Sequence, residues 1–442
     1  MSITELSGIS QMINEGLHSQ FLLGDENTLR LKSTAWDRFV AQLPNLRRAE
    51  LWKYAPVNSF NFHQLPCYPR SIEEKPSLES TQLDARVVFV DGVFSPELST
   101  GLNSIEGVSV VCLSALNPGQ QQYYSEQLEQ LQNSNNALND LNIALCCGGV
   151  LLTIDSSIEP GSTLELLHIV TESAGTIQRH VHNVIQVKAN ANLTLIERVR
   201  SEGLCEGVLN TVSQLSIEPN ATVHHCKVHE ADSQLSLRFG YTLATLGRDS
   251  RYHGAYLAAG QGYVREQFVW NSESKHVVCQ WNGLQLVAKG SQIECYTTAQ
   301  HSASQCQSNQ IIRSVLANGA NATCHNGIVV AKQASGTDAQ LQNRNLLLGK
   351  KARVNTKPEL EIYNDDVSCS HGATVGYLDQ QALFYLQSRG LPEAKARDLL
   401  LKAFVDDVFA GIESDTISSL LSGEVSTALL QLDSSEVEDA HA

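Results

Sequence analysis

From about Leu145 to Ile362 the chain keeps returning to one local pattern: a small turn-forming group, then a short segment in which apolar and polar residues alternate. The turn groups are EPGS at 159–162, KANAN at 188–192, EPNA at 218–221, LGRDS at 246–250, AKGS at 288–291, ANGAN at 317–321 and GKKA at 349–352. With Gly161, Asn190, Asn220, Gly247, Gly290, Gly319 and Gly349 as markers, the intervals are 29, 30, 27, 43, 29 and 30 residues, a repeat whose one longer interval reads as holding an insertion. The segments after the turns, among them TLELLHIV, LTLIERVR, TVHHCKVH, QIECYTT and ARVNTKPELEIY, alternate with period two, so each has a buried and a solvated face. No helix-period stretch separates them. That excludes the alternating strand and helix of doubly wound folds and leaves a β-sandwich or a parallel β-helix. Equal spacing favours the β-helix, because stacked coils of one length bury a continuous core, whereas a sandwich has no reason to keep its loops equal.

The flanks differ in texture and divide the chain into four parts. These are a helical region and linker over 1–84, a strand hairpin and mixed segment over 85–143, the β-helix over 144–376, and a helical region with an acidic tail over 377–442. Leu6, Ile9, Met12 and Ile13, and then Trp36, Phe39, Val40 and Leu43, fall at helical spacing before Pro44 ends the pattern. Trp52 and Tyr54, in RRAELWKYAPV, read as an anchor packing this arm against the next part of the chain. Apolar runs on either side of Asp91-Gly92 predict a hairpin, and the Gln- and Asn-rich stretch 116–143 reads as a loop and then a helix. After Gly376, the residues Leu378, Ala382, Leu383 and Leu386 share a helical side that ends at Arg389-Gly390. Pro392 opens a second helix, with Leu400, Leu401, Phe404, Val405, Val408 and Phe409 on adjoining apolar stripes, and a third runs from about Thr416 to Leu432. These helices are expected to cap the open end of the solenoid, whose strand edges would otherwise be exposed.

A formal net charge of -16 disfavours nucleic acid and anionic membrane as partners, since both call for clustered Lys and Arg. A neutral or basic protein partner fits better. No run approaches the roughly 18 apolar residues of a bilayer span, and the start, MSITELSGISQMINEG, lacks the basic and apolar regions of a secretory signal, so a soluble cytoplasmic protein is expected. Eleven cysteines, an odd number and never in a C-x-x-C pair, fit reduced and mostly buried thiols rather than a disulfide framework.

Four places carry residues that can do chemistry. In KPELEIYNDDVSCSHGATVG (357–376), Cys369 and His371 stand two apart, so on a strand they share a face, and both ligate soft or borderline metals. The plainer reading of that pair is a buried thiol beside a hydrogen-bonded histidine. Asp365-Asp366 is a cation candidate, although adjacent carboxylates at a turn are usually solvated. His224, His225, Cys226 and His229 form the densest ligand cluster, but 224 and 226 face one way on a strand while 225 and 229 face the other. Cys324 and His325 are adjacent and point to opposite faces; Cys146 and Cys147 adjoin a Gly-Gly pair and read as a buried strand start. Phosphate-binding glycine loops are missing, since AAGQGYVREQ supplies only G-x-G, and no G-x-S-x-G elbow supports a hydrolase triad.

The segments NRNLLL, TKPELEIY, DDVSCSHGATVG and LFYLQSRG, all within about 305 to 410, together with LWKY near the start and VFVDGVFSPELS, resemble the SufB/SufD family of the bacterial iron-sulfur cluster assembly machinery. SufB carries Glu after the histidine where this chain has Gly372, which favours the SufD branch. The resemblance implies a mainly β chain, a right-handed parallel β-helix core flanked by N-terminal and C-terminal α-helical regions. It implies a non-catalytic subunit of a SufB, SufC and SufD complex, in which the ends of the SufB and SufD β-helices pair. By the same resemblance the nascent iron-sulfur cluster is held transiently at that interface, with His371 as this chain's contribution and Cys369 beside it. The ABC-type ATPase SufC is expected on the C-terminal helices, over the stripe of Leu400, Leu401, Phe404, Val405, Val408 and Phe409, and the nucleotide belongs to SufC rather than to this chain. For the isolated chain a homodimer is the corresponding reading, with the edge it would use left open. Two other readings stand beside this one: a carbohydrate-active β-helix enzyme, which needs clustered catalytic carboxylates on one face, and a self-contained metalloprotein using His224 to His229.

Overall fold

The computed structural model describes residues 25–57, 60, 76, 78, 83–102, 104–146, 148–172, 175–412 and 414–439. The helical pattern at Leu6 to Ile13 and the cysteines Cys67 and Cys147 lie outside them. The chain is mainly β and is built around a parallel β-solenoid of about eight coils.

Each coil gives one strand to each of two facing sheets. The even sheet holds β3 (Val108–Cys112), β4 (Val150–Ile154), β6 (Ile177–Val187), β8 (Leu204–Ile217), β10 (Gln234–Leu246), β12 (Gln261–Ser272), β14 (Gln292–His301), β16 (Asn321–Val330) and β18 (Arg353–Ile362). The odd sheet holds β1 (Ala85–Val90), β2 (Val93–Phe94), β5 (Thr163–Thr171), β7 (Asn192–Glu202), β9 (Thr222–His229), β11 (Arg251–Ala258), β13 (Val278–Val287), β15 (Gln307–Leu316), β17 (Thr337–Leu347) and β19 (Val367–Tyr377). From β4 and β5 onward every neighbouring pair is parallel and in register over most of its length. At the opposite end the stack starts on antiparallel pairs: the expected hairpin at Asp91-Gly92, where both residues have positive φ, and β3 against β4.

The turns explain the spacing and correct one reading of it. Gly161, Asn190, Asn220, Asp249, His276, Gln305 and Gly336, all at positive φ, sit where the chain passes from the even sheet to the odd one, and successive members are 27 to 31 residues apart. Gly290 and Gly319 sit at the opposite corner, from odd to even. The 43-residue interval from Gly247 to Gly290 therefore holds no insertion. It spans one and a half coils, because the turn-rich sequence changes corner.

Between the sheets lies a continuous apolar core that runs from Val87 and Phe89 to Ala352. Its middle is filled by rings: Tyr252, Tyr256, Phe268, Trp270 and Trp281 stand 5.0 to 6.1 Å apart, centroid to centroid. Gly283 makes room for them, since a Cβ there would stand 2.5 Å from the Trp281 ring.

Helices cover the outer faces. On the even sheet lie α1 (Glu26–Gln42), α2 (Pro118–Gln132) and α3 (Ala137–Leu145), whose Trp36, Phe39, Leu128 and Leu141 share one apolar cluster with Val208, Phe239 and Leu243 of the strands. The stretch from 118 is helical from its start rather than a loop, because Asn117 closes a capping box with Gln120 and Pro118 takes the first turn. Trp52 does anchor the arm: its ring lies 4.1 Å from the Arg265 guanidinium, which is stacked on its other side against Tyr296 at 4.0 Å. On the odd sheet lie α5 (Glu393–Phe409) and α6 (Asp415–Asp439), with α4 (Gln380–Ser388) packed beside α5. The third C-terminal helix thus continues to Asp439, through most of the acidic tail.

The C-terminal helices do not cap the open end. Leu401, Val405 and Val408 of α5, with Ile417, Leu421 and Val425 of α6, join Cys226, Val228, Leu257, Leu284, Leu286 and Val315 in one cluster on the flank of the odd sheet. The physical reason is that those outward-facing strand residues are themselves apolar and have to be covered. Among the described residues, no strand or helix closes the end of the solenoid.

Candidate functional site at the open end of the solenoid

The last coil is β18 and β19, the terminal members of their sheets, each paired on one side only. Residues along β19 alternate between faces, and the register places Cys369 beside Ala339 and His371 beside Leu341. Ala339 and Leu341 belong to the small core between the sheets that also contains Ile328 and Val330, so Cys369 and His371 are on the inward face of an unfinished coil. Val367, Cys369 and Leu360 pack partly against that core, while His371 is exposed. Burial pushes the Cys369 thiol up, the Asp338 carboxylate adds to this, and the Ala339 backbone opposes it. The sulfur is accordingly protonated at neutral pH and must lose its proton to bind metal.

Exposed apolar side chains lie at this end, with Tyr377 63% exposed, Tyr363 62% and Val375 48%, and among the described residues no further strand pairs with the outer edge of β18 or β19. Gly372 lies on the outer face of β19, opposite to His371, and a Cβ there would meet nothing within 4 Å. Asp365 and Asp366 are exposed in the turn between the two strands, where Asp366 N–H donates to Asn364 Oδ1 at 2.8 Å. They face water, as adjacent turn carboxylates usually do.

The other candidates are placed elsewhere. In β9, His225, Lys227 and His229 point inside the solenoid, and His224, Cys226 and Val228 point out. His225 Nε2 is 3.1 Å from Glu197 and its Nδ1 2.7 Å from the Tyr252 hydroxyl; His229 Nε2 is 2.8 Å from Glu266. The cluster of four is therefore divided between two environments, and its inward histidines serve buried carboxylates. Cys324 is inside, where burial pushes its thiol up to about 11, and His325 is outside, 2.7 Å from Glu359. Cys146 is buried and bonds the Gly148 carbonyl at 3.0 Å. Among the described residues, no three His, Cys, Asp or Glu side chains gather as a metal ion would require.

Of the apolar stripe on α5, Leu401, Val405 and Val408 are buried against the odd sheet, so they hold the helix in place and are not presented to a partner. Leu400, Phe404 and Phe409 are half-buried, and Phe404 also lies 5.2 Å from the Arg313 guanidinium. The exposed large apolar residues of these two helices are others: Phe384, 71% exposed, and Tyr385 on α4, and Leu399 on α5. Helical spacing alone marks both stripes as apolar; which of them the sheet covers is not a local property.

Comparison with known proteins points to one family. A family profile described as "SUF system FeS cluster assembly, SufBD core domain" matches residues 168–404. The chain is 27% identical over 375 residues to the iron-sulfur cluster assembly protein SufD of Escherichia coli, covering 84% of this chain and 85% of that one. It is 29% identical over 332 residues to an iron-sulfur cluster assembly SufBD family protein of Synechocystis, covering 73% of each, and 26% identical over 280 residues to SufD of Bacillus subtilis, covering 61% and 62%.

Proposed function

Since the chain belongs to the SufBD family of iron-sulfur cluster assembly proteins, and is SufD-like within it, we propose that it acts as a non-catalytic subunit that pairs, through the open end of its solenoid, with a SufB-like partner. The nascent cluster is the cargo of this interface. The observation that carries the reading is the last coil, where two strand edges, unpaired among the described residues, flank an exposed His371 on a face that continues the interior of the solenoid. Edges of that kind accept further strands readily, and a partner end placed there completes the coil around the histidine.

The chemistry follows from the donor types. A neutral imidazole holds cluster iron less firmly than a thiolate does, which suits a group that must hand its cargo on. Cys369, two residues away and still protonated, supplies a second ligand only where the partner's charge or the metal itself draws off its proton. A SufC-like ABC ATPase docks on the C-terminal helices, through the exposed Phe384, Tyr385 and Leu399 together with the accessible parts of Leu400, Phe404 and Phe409, and it supplies the nucleotide. ATP-driven movement of two such ATPase subunits would open and close the shared end, giving the cluster a route out. The complex works in the cytoplasm in this reading; among the described residues no helix is long and apolar enough to cross a membrane.

The test is reconstitution with SufB-like and SufC-like partners. The three chains should copurify, and His371→Ala should reduce cluster formation, read from the visible absorption of the assembled cluster, while the complex stays intact. Unchanged cluster yield would remove His371 from the site, and failure of the partners to copurify would remove the pairing.

A further inference from the structure

Beneath the last coil the core contains a line of buried amides that the cluster chemistry just proposed does not use. Asn345 Nδ2 donates to Asn343 Oδ1 at 2.7 Å, Asn343 Nδ2 to Asn326 Oδ1 at 2.9 Å, and Asn326 Nδ2 to Thr297 Oγ1 at 2.9 Å. The Thr297 hydroxyl donates to Gln310 Oε1 at 2.5 Å, and Gln310 Nε2 ends on the Gly327 carbonyl at 3.2 Å. All five side chains are at most 3% exposed. At its outer end the line leaves the core: Asn345 Nδ2 also donates, at 3.0 Å, to the Thr374 carbonyl of β19. The donors all run one way, and such lines are costly to break when buried.

β19 needs an anchor of this kind. Among the described residues it is paired only with β17, and nearly all of its residues are exposed, so although Val367, Cys369, Ala373, Val375 and Tyr377 alternate with Ser368, Ser370, Gly372, Thr374 and Gly376, little apolar burial rewards one register over another. A slip of one residue along a strand moves every side chain to the other face, which would carry Cys369 and His371 out of the mouth of the solenoid. Buried polar side chains are well suited to excluding such alternatives, because a misaligned register leaves them unsatisfied.

We infer that Asn345 is a positioning residue: its bond to the Thr374 carbonyl fixes the register of β19 and thereby holds Cys369 and His371 on the inward face. The inference rests on the proposed role of that face, but it is tested on the chain alone, so its failure and the failure of the cluster reading are separable. Asn345→Leu keeps the branched shape and removes the donor. Asn345→Asp keeps the shape and, when ionised, also lacks the donor. Both should raise the alkylation rate of Cys369, followed by mass spectrometry of its own peptide, and the amide exchange of residues 367–377 by about tenfold, as expected for loss of one buried hydrogen bond at a local opening. Exchange in β11 to β13 should stay within about twofold, which a global loss of stability would not allow. Asn343→Ala serves as the control, because it interrupts the line but leaves the Asn345 donor to Thr374; it should lower overall stability with little change at β19.

A Cys369 rate and a β19 exchange within about twofold of the unmodified chain in both Asn345 variants would overturn the assignment. So would an Asn343→Ala variant that loosens β19 as much as they do. If the Asn345 variants fail to fold, exchange in the unmodified chain decides: protection in β19 should be greatest around Thr374–Gly376, and a maximum at 367–370 would overturn it.

Discussion

Lys227 is enclosed inside the solenoid with its ammonium 3.1 Å from Glu266 and 3.8 Å from Glu197, all three side chains at most 1% exposed. Burial alone would push the lysine down, yet the two carboxylates more than reverse this, and Glu197 and Glu266 are in turn held below their usual range by Lys227 with His225 and His229. Lys227→Met leaves two buried carboxylates without their cation and should cost about 3–5 kcal/mol, measured as a shift in denaturant midpoint. A loss below ~1 kcal/mol would mean that the carboxylates find another partner or a proton. The alternation in TVHHCKVH does place 225, 227 and 229 on one side of the strand. It does not say that the charged side is the inner one; that choice is available because the outward Cys226 and Val228 have helices to cover them.

The same contest decides what the α5 helix does. Its sequence carries two adjoining apolar stripes, and the sheet takes Leu401, Val405 and Val408. Leu401→Ala should therefore behave as a core truncation, costing about 2–5 kcal/mol, while Phe384→Glu on the exposed face should change stability by no more than about 0.5 kcal/mol. In the proposed complex the second variant is the one that weakens capture of the ATPase, scored by pull-down with a SufC-like partner. The reverse outcome, a stable Leu401→Ala that loses the ATPase, would show that the buried stripe opens to the partner. The open end follows the same logic: apolar outer walls of the odd sheet claim the helices, and among the described residues none caps β18 and β19.

Taken as a whole, the solenoid stores titratable groups in their neutral or paired forms and should be acid-labile. Burial pushes His168, His182 and His301 down to about 4 and His180 to about 3. Unfolded imidazoles titrate near 6.5, so between about pH 6.5 and 4 the unfolded chain binds more protons and stability falls as the pH drops. Glu197 and Glu266, held low, contribute stability that is present above the unfolded carboxylate range and lost below it, so they act in the same direction. Asp140, which burial pushes up to about 6, and Glu424, which burial also raises, act against them, but in this range the buried histidines outnumber the two carboxyls. The melting temperature should accordingly fall steadily from pH 7.5 to 5, and a flat or rising profile would show that the histidines are hydrated in the folded state.

The repeat length and the alternation within it were enough to specify a stacked, two-faced β architecture, because each coil touches chiefly its neighbours and the pattern is local. The C-x-H spacing likewise put Cys369 and His371 on one side of a strand. Three things could be settled only by the packed molecule: which side of each strand faces inward, which corner a given turn occupies, and where the helices come to rest. Each depends on what covers a surface rather than on what the surface is made of, and that is why an apolar stripe read as a docking face is half core, and an end expected to be capped is the end that stands open.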